Sequence, residues 1–359
     1  MRFEQLRLEN LRNIAGLELE LGSGLNLFLG PNGAGKTSIL EGAYLLSHAQ
    51  SFRTGLADTL IRRSASQLTV AGRLQRNAGA EIRLGLARDS EGWHARLNGS
   101  AVSVGALLAE CAVVCFEPGS HTLISGASSE RRRFLDWGVF HVEHEFLARS
   151  RTYSRVLRQR NLALKQAAGD AELDAWDAEL SSAAVTIGQQ REVYFRHFSA
   201  ELAAVLGLLL PELGISTLEL NRGWPADQVL AEALVQSRSR DRLRGHTTRG
   251  PHRADWSLRF VGAPLREHLS RGQEKLCALA SVLAQARTHA ASAGEWPIIA
   301  LDDLASELDT AHQELVVKLL CAANAQVLIS GIEQPLALHH IQAYPRMFHV
   351  EHGQVRALL

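Results

Sequence analysis

Hydrophobic and polar positions alternate along the first third of the chain, which predicts a series of short β-strands. The alternating segments are FEQLRL, LELEL, LNLFL, LTVAGRL, EIRLGLA and WHARLN. A period of two places the apolar side chains on one face of a strand, and Asn98-Gly99 is a hairpin turn signal. Residues 111–116 (CAVVCF) are continuously apolar, as in a strand buried on both faces.

The pattern changes near residue 129, and up to about residue 207 it predicts helices. Arg151, Arg155 and Arg158 share one helical face at i, i+4 and i+7. Gly169-Asp170 predicts a break between two long helices, and a helix over residues 140–168 would be about 42 Å long.

Strand patterns return at residues 215–220 and then alternate with helices to the end of the chain. Predicted strands cover 256–261, 297–301 and 326–329, and predicted helices cover 226–240, 272–289 and 310–323. Alternating strands and helices predict a parallel sheet with crossover helices. The fold class is therefore α/β, with one α/β domain in two parts (residues 1–117 and 245–359) and a mostly helical inserted domain (118–244).

Composition narrows the class of protein. The chain has 359 residues, 46% of them hydrophobic and 21% charged, which is ordinary for a soluble protein. Its four cysteines show no metal-binding spacing, so reduced thiols and a cytoplasmic location are expected. No run is long and apolar enough to predict a membrane span, and the first residues do not resemble a signal peptide.

Charge is unevenly distributed although the net charge is zero. Residues 118–168 carry nine basic and four acidic side chains, and residues 236–253 carry six and one. Residues 288–317 carry six acidic side chains and no basic one. The basic stretches could neutralise phosphates or could be solvated helix faces, and the acidic stretch could hold a metal.

A phosphate-binding loop is predicted between an apolar strand and a helix in FLGPNGAGKTSILEG. The spacing G-x-x-x-x-G-K-T directs backbone N–H groups at a triphosphate, Lys36 at its β- and γ-phosphates and the Thr37 hydroxyl at Mg²⁺. The helix N-terminus also favours the anion. The predicted ATP-binding residues are Gly30, Pro31, Asn32, Gly33, Ala34, Gly35, Lys36 and Thr37.

Two adjacent carboxylates end the strand PIIALDD. Buried acids need compensation, and in a phosphate-loop protein Asp302 is expected to hold the nucleotide's Mg²⁺. Asp303 is expected to polarise the attacking water as general base, with Glu307 as the next candidate. The alternative is a solvated strand end.

The segment LSRGQEK predicts a second anion site at a helix N-terminus. Ser270 is a natural N-cap and Gly272 opens the helix. The plain alternative is a capped helix. Since one chain does not need two γ-phosphate sites, this second site would serve the nucleotide of another copy.

With this segment the chain resembles ABC-type ATPases, whose signature is close to L-S-G-G-Q, and among them the RecF family. The matching stretches include LRLENLRNI, SERRRFLDW, YSRVLRQRNLALKQ, RGW, GPHRADW and LDDLASELD. The resemblance implies an ATPase, using ATP and Mg²⁺, that forms an ATP-dependent homodimer. Ser270, Arg271, Gly272 and Gln273 would complete the partner chain's site.

The resemblance also implies DNA binding that favours duplex next to a single-stranded gap, and action with RecR and RecO to load the recombinase RecA. Arg12 and Asn13 would lie near the nucleotide, and Arg53 near the dimer face. Candidate DNA contacts are Arg131, Arg132, Arg133, Arg151, Arg155 and Arg158, which could instead pair with Asp136, Glu143 and Glu145.

The chain departs from the family pattern at three positions. Gly119 stands where an acidic residue is usual, no transporter-type glutamine can be assigned, and VLISGIEQ offers only Ser330 and Glu333 in place of a switch histidine. The last two absences disfavour a transporter ATPase subunit. A nucleoside kinase would not explain the second anion site, and a full SMC protein would need a far longer insertion.

Overall fold

The computed structural model describes residues 1–53, 57–77, 79–340 and 344–358. The strands of the described residues are, in chain order, β1 (Arg2–Leu11), β2 (Ile14–Glu20), β3 (Leu25–Leu29), β4 (Leu68–Gln75), β5 (Glu81–Arg88), β6 (Trp93–Leu97), β7 (Ser100–Val102), β8 (Val113–Phe116), β9 (Ser216–Asn221), β10 (Asp255–Phe260), β11 (Ile298–Leu301), β12 (Val327–Gly331), β13 (Arg346–Glu351) and β14 (Gln354–Leu358).

The helices of the same residues are α1 (Lys36–His48), α2 (Val104–Ala109), α3 (Thr122–Ser125), α4 (Ser128–Val142), α5 (Phe146–Lys165), α6 (Asp170–Leu209), α7 (Leu230–Arg244), α8 (Arg271–Ala293), α9 (Leu304–Glu307), α10 (Thr310–Ala323) and α11 (Leu336–His340). None of the helices in this part of the chain is long and apolar enough to cross a bilayer.

The chain forms two compact units. The first combines residues 1–121 with residues 271–359, and the second is the continuous segment 122–270. The second boundary differs from the predicted 244/245 because β10 pairs antiparallel with β9, from Asp255↔Asn221 to Phe260↔Ser216. That pairing holds residues 255–260 in the helical unit. At the other boundary, residues 118–121 stay with the first unit.

The first unit contains two six-stranded sheets. One is antiparallel, in the order β2-β1-β4-β5-β6-β7, and the other has the order β14-β13-β3-β12-β11-β8. In the second sheet β13, β3, β12, β11 and β8 run parallel, and β14 closes the edge as a hairpin. Helix α1 contacts strands of both sheets. Gly42 permits the close approach, since a Cβ there would lie 2.4 Å from a methyl group of Leu8.

Several strand predictions are confirmed in this unit. Leu97 pairs with Ser100 across Asn98-Gly99, and both turn residues have positive φ, as a two-residue hairpin turn requires. The apolar segments 111–116 and 297–301 contain β8 and β11, which pair in parallel. Their burial explains why their sequences show no alternation.

The helical unit is built around the long helix α6, which packs against α4, α5, α7 and β9. Its 40 residues correspond to about 60 Å. Residues 140–168 do not form one helix, because α4 ends at Val142 and α5 starts at Phe146. The 20 residues of α5 span only about 30 Å. The break at Gly169-Asp170 is confirmed by the start of α6.

Candidate nucleotide-binding site

The carboxyl ends of four neighbouring parallel strands form the candidate site. β12 lies between β3 and β11, and β8 lies on the other side of β11. The register aligns Leu29 with Gly331, and Leu301 with both Ile329 and Phe116. The residues that follow β3, β11 and β8, together with Ser330 at the end of β12, therefore meet at one edge of the sheet. Open α/β sheets bind their ligands at such an edge.

The predicted phosphate-binding loop connects β3 to α1. Gly30, Gly33 and Gly35 all have positive φ, at 156°, 79° and 114°, a region that side chains avoid. At Gly30 a Cβ would lie 2.0 Å from the carbonyl oxygen of Val350. The loop therefore requires glycine for its backbone path as well as for access to a ligand.

Lys36 is the first residue of α1 and its side chain folds back over the loop. Its Nζ donates to the carbonyl oxygens of Gly30 (2.8 Å) and Pro31 (2.9 Å). Burial lowers the pKa of the ammonium, and the charges of Asp303 and Asp302 oppose that shift. A cation held in a loop of backbone donors can receive a phosphate group.

Thr37 and Asp302 are 265 positions apart in the sequence and lie in direct contact. The Thr37 hydroxyl donates to Asp302 Oδ1 at 2.9 Å, and Ser330 Oγ donates to the same oxygen at 2.5 Å. Burial raises the pKa of Asp302, while the two hydroxyl donors lower it. A hydroxyl and a single carboxylate fit Mg²⁺, which takes oxygen ligands and is held in part by nucleotide phosphates.

Asp303 has a left-handed backbone, with φ 56° and ψ 39°. Its N–H donates to Ser330 Oγ at 3.0 Å, and its carbonyl oxygen accepts from the hydroxyl and the N–H of Ser306. Non-glycine residues in this conformation are uncommon, and they cluster at functional sites. The half-buried carboxylate is close enough to Lys36 to oppose the lowering of that residue's pKa.

Two further residues at this edge were not predicted as site residues, although Ser330 was noted in place of a switch histidine. Ser330 is buried and its hydroxyl bridges Asp302 to the backbone of Asp303. Glu117 directly follows β8, and burial raises the pKa of its carboxyl, as do the charges of Asp302 and Glu307.

The neighbouring sequence explains how Glu117 is accommodated. Glu117 Oε2 accepts a hydrogen bond from the Gly119 N–H at 2.6 Å, and a Cβ at residue 119 would lie 2.8 Å from its carboxylate. The backbone of residue 119 therefore holds the Glu117 carboxylate in place. In the sequence, the sign that could have identified Glu117 is its position as the acidic residue before Pro118 in FEPGSH.

The three residues that the resemblance associated with the nucleotide or dimer lie in different environments. Asn13 contacts the phosphate-binding loop, where its Nδ2 donates to Gly33 O at 3.1 Å. Arg12 instead pairs with the fully buried Glu41 at 2.8 and 2.9 Å, and that contact raises its pKa. Arg53 is exposed, and its charge lowers the pKa of Asp302. Thr54, which follows Arg53 in the segment SFRT, lies outside the described residues.

The predicted second anion site lies at the start of α8. The helix begins at Arg271, directly after Ser270, and Ser270, Arg271 and Gly272 are exposed while Gln273 is half-buried. Further along α8, Lys275 forms an ion pair with Glu307 at 2.6 Å. Because Glu307 is paired, it is less suited to act as a base than Asp303.

The six candidate DNA-binding arginines of the helical unit fall into two groups. Arg131 contacts both carboxylate oxygens of Asp255 at 2.7 and 3.0 Å, and Arg132 donates to Ser128 Oγ and Ala254 O. These two guanidinium groups are engaged inside the unit. The suggested alternative partners are wrong, because Asp136, Glu143 and Glu145 contact Arg191, Gln190 and Arg149 respectively.

The other four arginines form at most weak ion pairs with the residues that the structure describes. Arg133 lies 3.3 Å from Glu130, Arg155 lies 3.9 Å from Glu179, and their side chains are 58% and 66% exposed. Arg151 and Arg158 are exposed on the same face of α5 as Arg155. Surface pairs of this kind are weak, so these guanidinium groups are available for phosphate.

Three features define the ABC-type ATPase fold: a phosphate-binding loop after β3, two acids at the end of β11 in the same parallel sheet, and an antiparallel second sheet. The family model described as "RecF/RecN/SMC N terminal domain" matches residues 2–356. The chain therefore belongs to the RecF/RecN/SMC family, and several curated relatives at 36–47% identity carry the name RecF.

Two of those relatives are named DNA replication and repair protein RecF. The one from Xanthomonas axonopodis pv. citri is 47% identical and covers 99% of this chain and 98% of its own length. The one from Stenotrophomonas maltophilia is 46% identical with full coverage of both chains. A solved structure of the recombination mediator RecF with bound ATPrS superposes with a TM-score of 0.88 at 24% identity, covering 100% of this chain and 98% of the other. At that identity the superposition shows the shared fold.

Proposed function

We propose that this chain is an ATP-dependent DNA-binding protein of recombinational repair. It binds Mg²⁺-ATP in the cytoplasm, dimerises around the nucleotide on gapped DNA and hydrolyses ATP weakly, with stimulation by DNA. The observation that carries the proposal is the contact of Thr37 with Asp302 beside the Lys36 loop. The curated relatives named for DNA replication and repair support the biological role.

In the proposed complex each residue at the sheet edge has a separate task. The loop N–H groups and Lys36 bind the phosphates, as charge-assisted donors. Thr37 and Asp302 would hold Mg²⁺, which screens phosphate charge when it is bound. Asp303 orients a water and accepts its proton. Ser330 keeps both acids in position through its two hydrogen bonds.

The dimer is proposed because the start of α8 is exposed. Ser270, Arg271 and Gly272 can then present a hydroxyl, a cation and backbone donors to the nucleotide of a second copy, with Gln273 beside them. Arg53 lies near the dimer face in this proposal. RecR and RecO are the proposed protein partners, by analogy with the RecFOR pathway named for the similar solved structure.

The DNA contacts of this proposal are Arg133, Arg151, Arg155 and Arg158. Arg131 and Arg132 are no longer proposed as direct contacts, because their guanidinium groups bind Asp255 and Ala254.

Replacing Asp303 by asparagine tests the chemistry. Asparagine tolerates the left-handed backbone and keeps the side-chain volume, so only the base is lost. ATP turnover should fall on the order of 10²–10⁴-fold, while Mg²⁺-ATP binding and dimer mass stay as in the wild type. The variant should also release gapped DNA more slowly when ATP is present, since a dimer that cannot hydrolyse accumulates closed. Turnover at the wild-type rate would place the base elsewhere.

Replacing Ser270 by arginine tests whether the start of α8 takes part in the dimer. It leaves residues 30–37 intact, so ATP should still bind in calorimetry, but its bulk should prevent ATP from doubling the mass in light scattering. A variant that still dimerises with ATP would show that LSRGQEK is only a capped helix and not a second anion site.

A further inference from the structure

Two loops of the helical unit, residues 221–226 and 248–253, line a cleft of about 630 Å³. The cleft presents Arg222, Arg249 and Arg253, with Glu192 as its acidic lining residue. It is called the arginine cleft below. We propose that the arginine cleft binds the sugar–phosphate backbone of DNA, an inference that rests on the proposed DNA-binding function.

The two loops are fixed against each other by their glycines. Gly223 has φ 101°, and a Cβ on it would lie 2.2 Å from the carbonyl oxygen of Gly250. The Gly250 N–H donates to Gly223 O at 3.2 Å. The RGW and RGP segments therefore cross at a distance that only glycine allows, and the cleft is formed before any ligand arrives.

Two donors in the cleft have no acceptor among the described residues. Arg222 directs Nη2 to the carbonyl oxygens of Pro225, Ala226 and Gln228, and its guanidinium lies 4.7 Å from the centre of the Trp224 ring. Its buried Nε is unpartnered, and so is the buried indole Nε1 of Trp224. Buried donors are rarely left unsatisfied, so these two nitrogens add to the donor character of the cleft lining.

Charge favours an anionic ligand over a neutral one. Arg249 forms no hydrogen bond or ion pair with the described residues, and Arg253 makes one long bond, 3.3 Å, to Thr247 O. His252, on the same loop, is kept neutral because burial lowers its pKa to about 4. Three arginines against one glutamate, beside an indole ring, match the arginine and aromatic surfaces that bind nucleic acid.

The test compares Arg249→Gln/Arg253→Gln with Arg240→Gln, which removes an exposed arginine from α7 outside the cleft. Labelled gapped duplex, plain duplex and single strand are titrated with ATP over a series of salt concentrations. Each lost phosphate contact should reduce the slope of log affinity against log salt by about one. The double variant should lose about two and bind every DNA sequence more weakly. The control should keep the wild-type slope.

A second variant tests the indole donor without changing the charge of the cleft. Trp224→Phe keeps an aromatic ring but removes the pyrrole ring with its N–H, and it should weaken DNA binding without changing ATP affinity. Unchanged DNA binding by the double variant, or an equal loss in the Arg240 control, overturns the inference. An acidic peptide is titrated in the same way, and a double variant that loses peptide binding while it keeps DNA binding would overturn the inference in favour of a protein partner. A wild-type protein that binds no DNA refutes the proposed function itself, which is a separate result.

Discussion

Replacing Ser330 by alanine should destabilise the unliganded protein, and by more at high pH than at low pH. The hydroxyl donates to Asp302 Oδ1 at 2.5 Å, accepts from the Asp303 N–H at 3.0 Å and is 1% exposed as a residue. A hydrogen bond to a charged acceptor contributes about 1.5–3 kcal/mol, and one between neutral groups about 1 kcal/mol. The expected loss is therefore about 2–3 kcal/mol with Asp302 ionised and about 1 kcal/mol with it protonated.

The pKa of Asp302 determines the sign of the pH dependence. Burial raises it above its ordinary value, and the Ser330 and Thr37 hydroxyls oppose that rise. A carboxyl with a raised pKa binds more protons when folded, so its contribution to stability is largest in acid and declines as pH rises through the folded pKa. Removing the Ser330 hydroxyl raises the pKa of Asp302 further, so the loss of stability with rising pH becomes larger. The difference between variant and wild type should grow upward from about pH 4, the ordinary value for aspartate.

Urea denaturation at pH 4.5 and pH 8, without nucleotide or divalent metal, measures this difference. Ser281→Ala is the matched control, because Ser281 is equally buried and donates to the neutral carbonyl of Cys277 at 2.8 Å. Its loss should be about 1 kcal/mol at both pH values. Equal losses for Ser330→Ala at the two pH values, or a larger one in acid, would refute the reasoning.

Two further predictions concern cations. Lys36→Met should reduce ATP affinity in calorimetry by at least about tenfold, because it removes a charge-assisted contact of about 1.5–3 kcal/mol; undiminished affinity would contradict the loop assignment. Arg131→Gln should lower the free energy of unfolding by about 2 kcal/mol. This is less than breaking a fully buried ion pair costs, because Asp255 is 35% exposed. Arg133→Gln should change it by less than about 0.5 kcal/mol, and similar losses in both would contradict the distinction between them.

The fold was largely predictable from the sequence because each element carries its own pattern. The glycine spacing of residues 30–37, the acids after β11 and the alternation of strands with helices are local signals. The boundary at 244/245 failed because β9 and β10 are joined through pairing over more than thirty residues, which no local pattern records.

The site was predicted less completely than the fold. Ser330 stood in an apolar strand, and nothing local indicated that β12 lies between β3 and β11. Arg131 and Arg132 looked like part of a basic surface because their partners, Asp255 and Ala254, lie more than 120 positions away. Charge counts describe composition, and only the tertiary contacts show which charges remain available.

The strand order of the parallel sheet has a consequence for protein synthesis. β3, which ends at the phosphate-binding loop, pairs only with β12 and β13 among the described strands. About 300 residues separate it from those partners. At a synthesis rate of roughly 5–20 residues per second, about 15–60 s pass between the synthesis of β3 and that of its first partner strand. The helical unit is one continuous segment and can fold during that interval, so the nucleotide site forms last, when synthesis is almost complete.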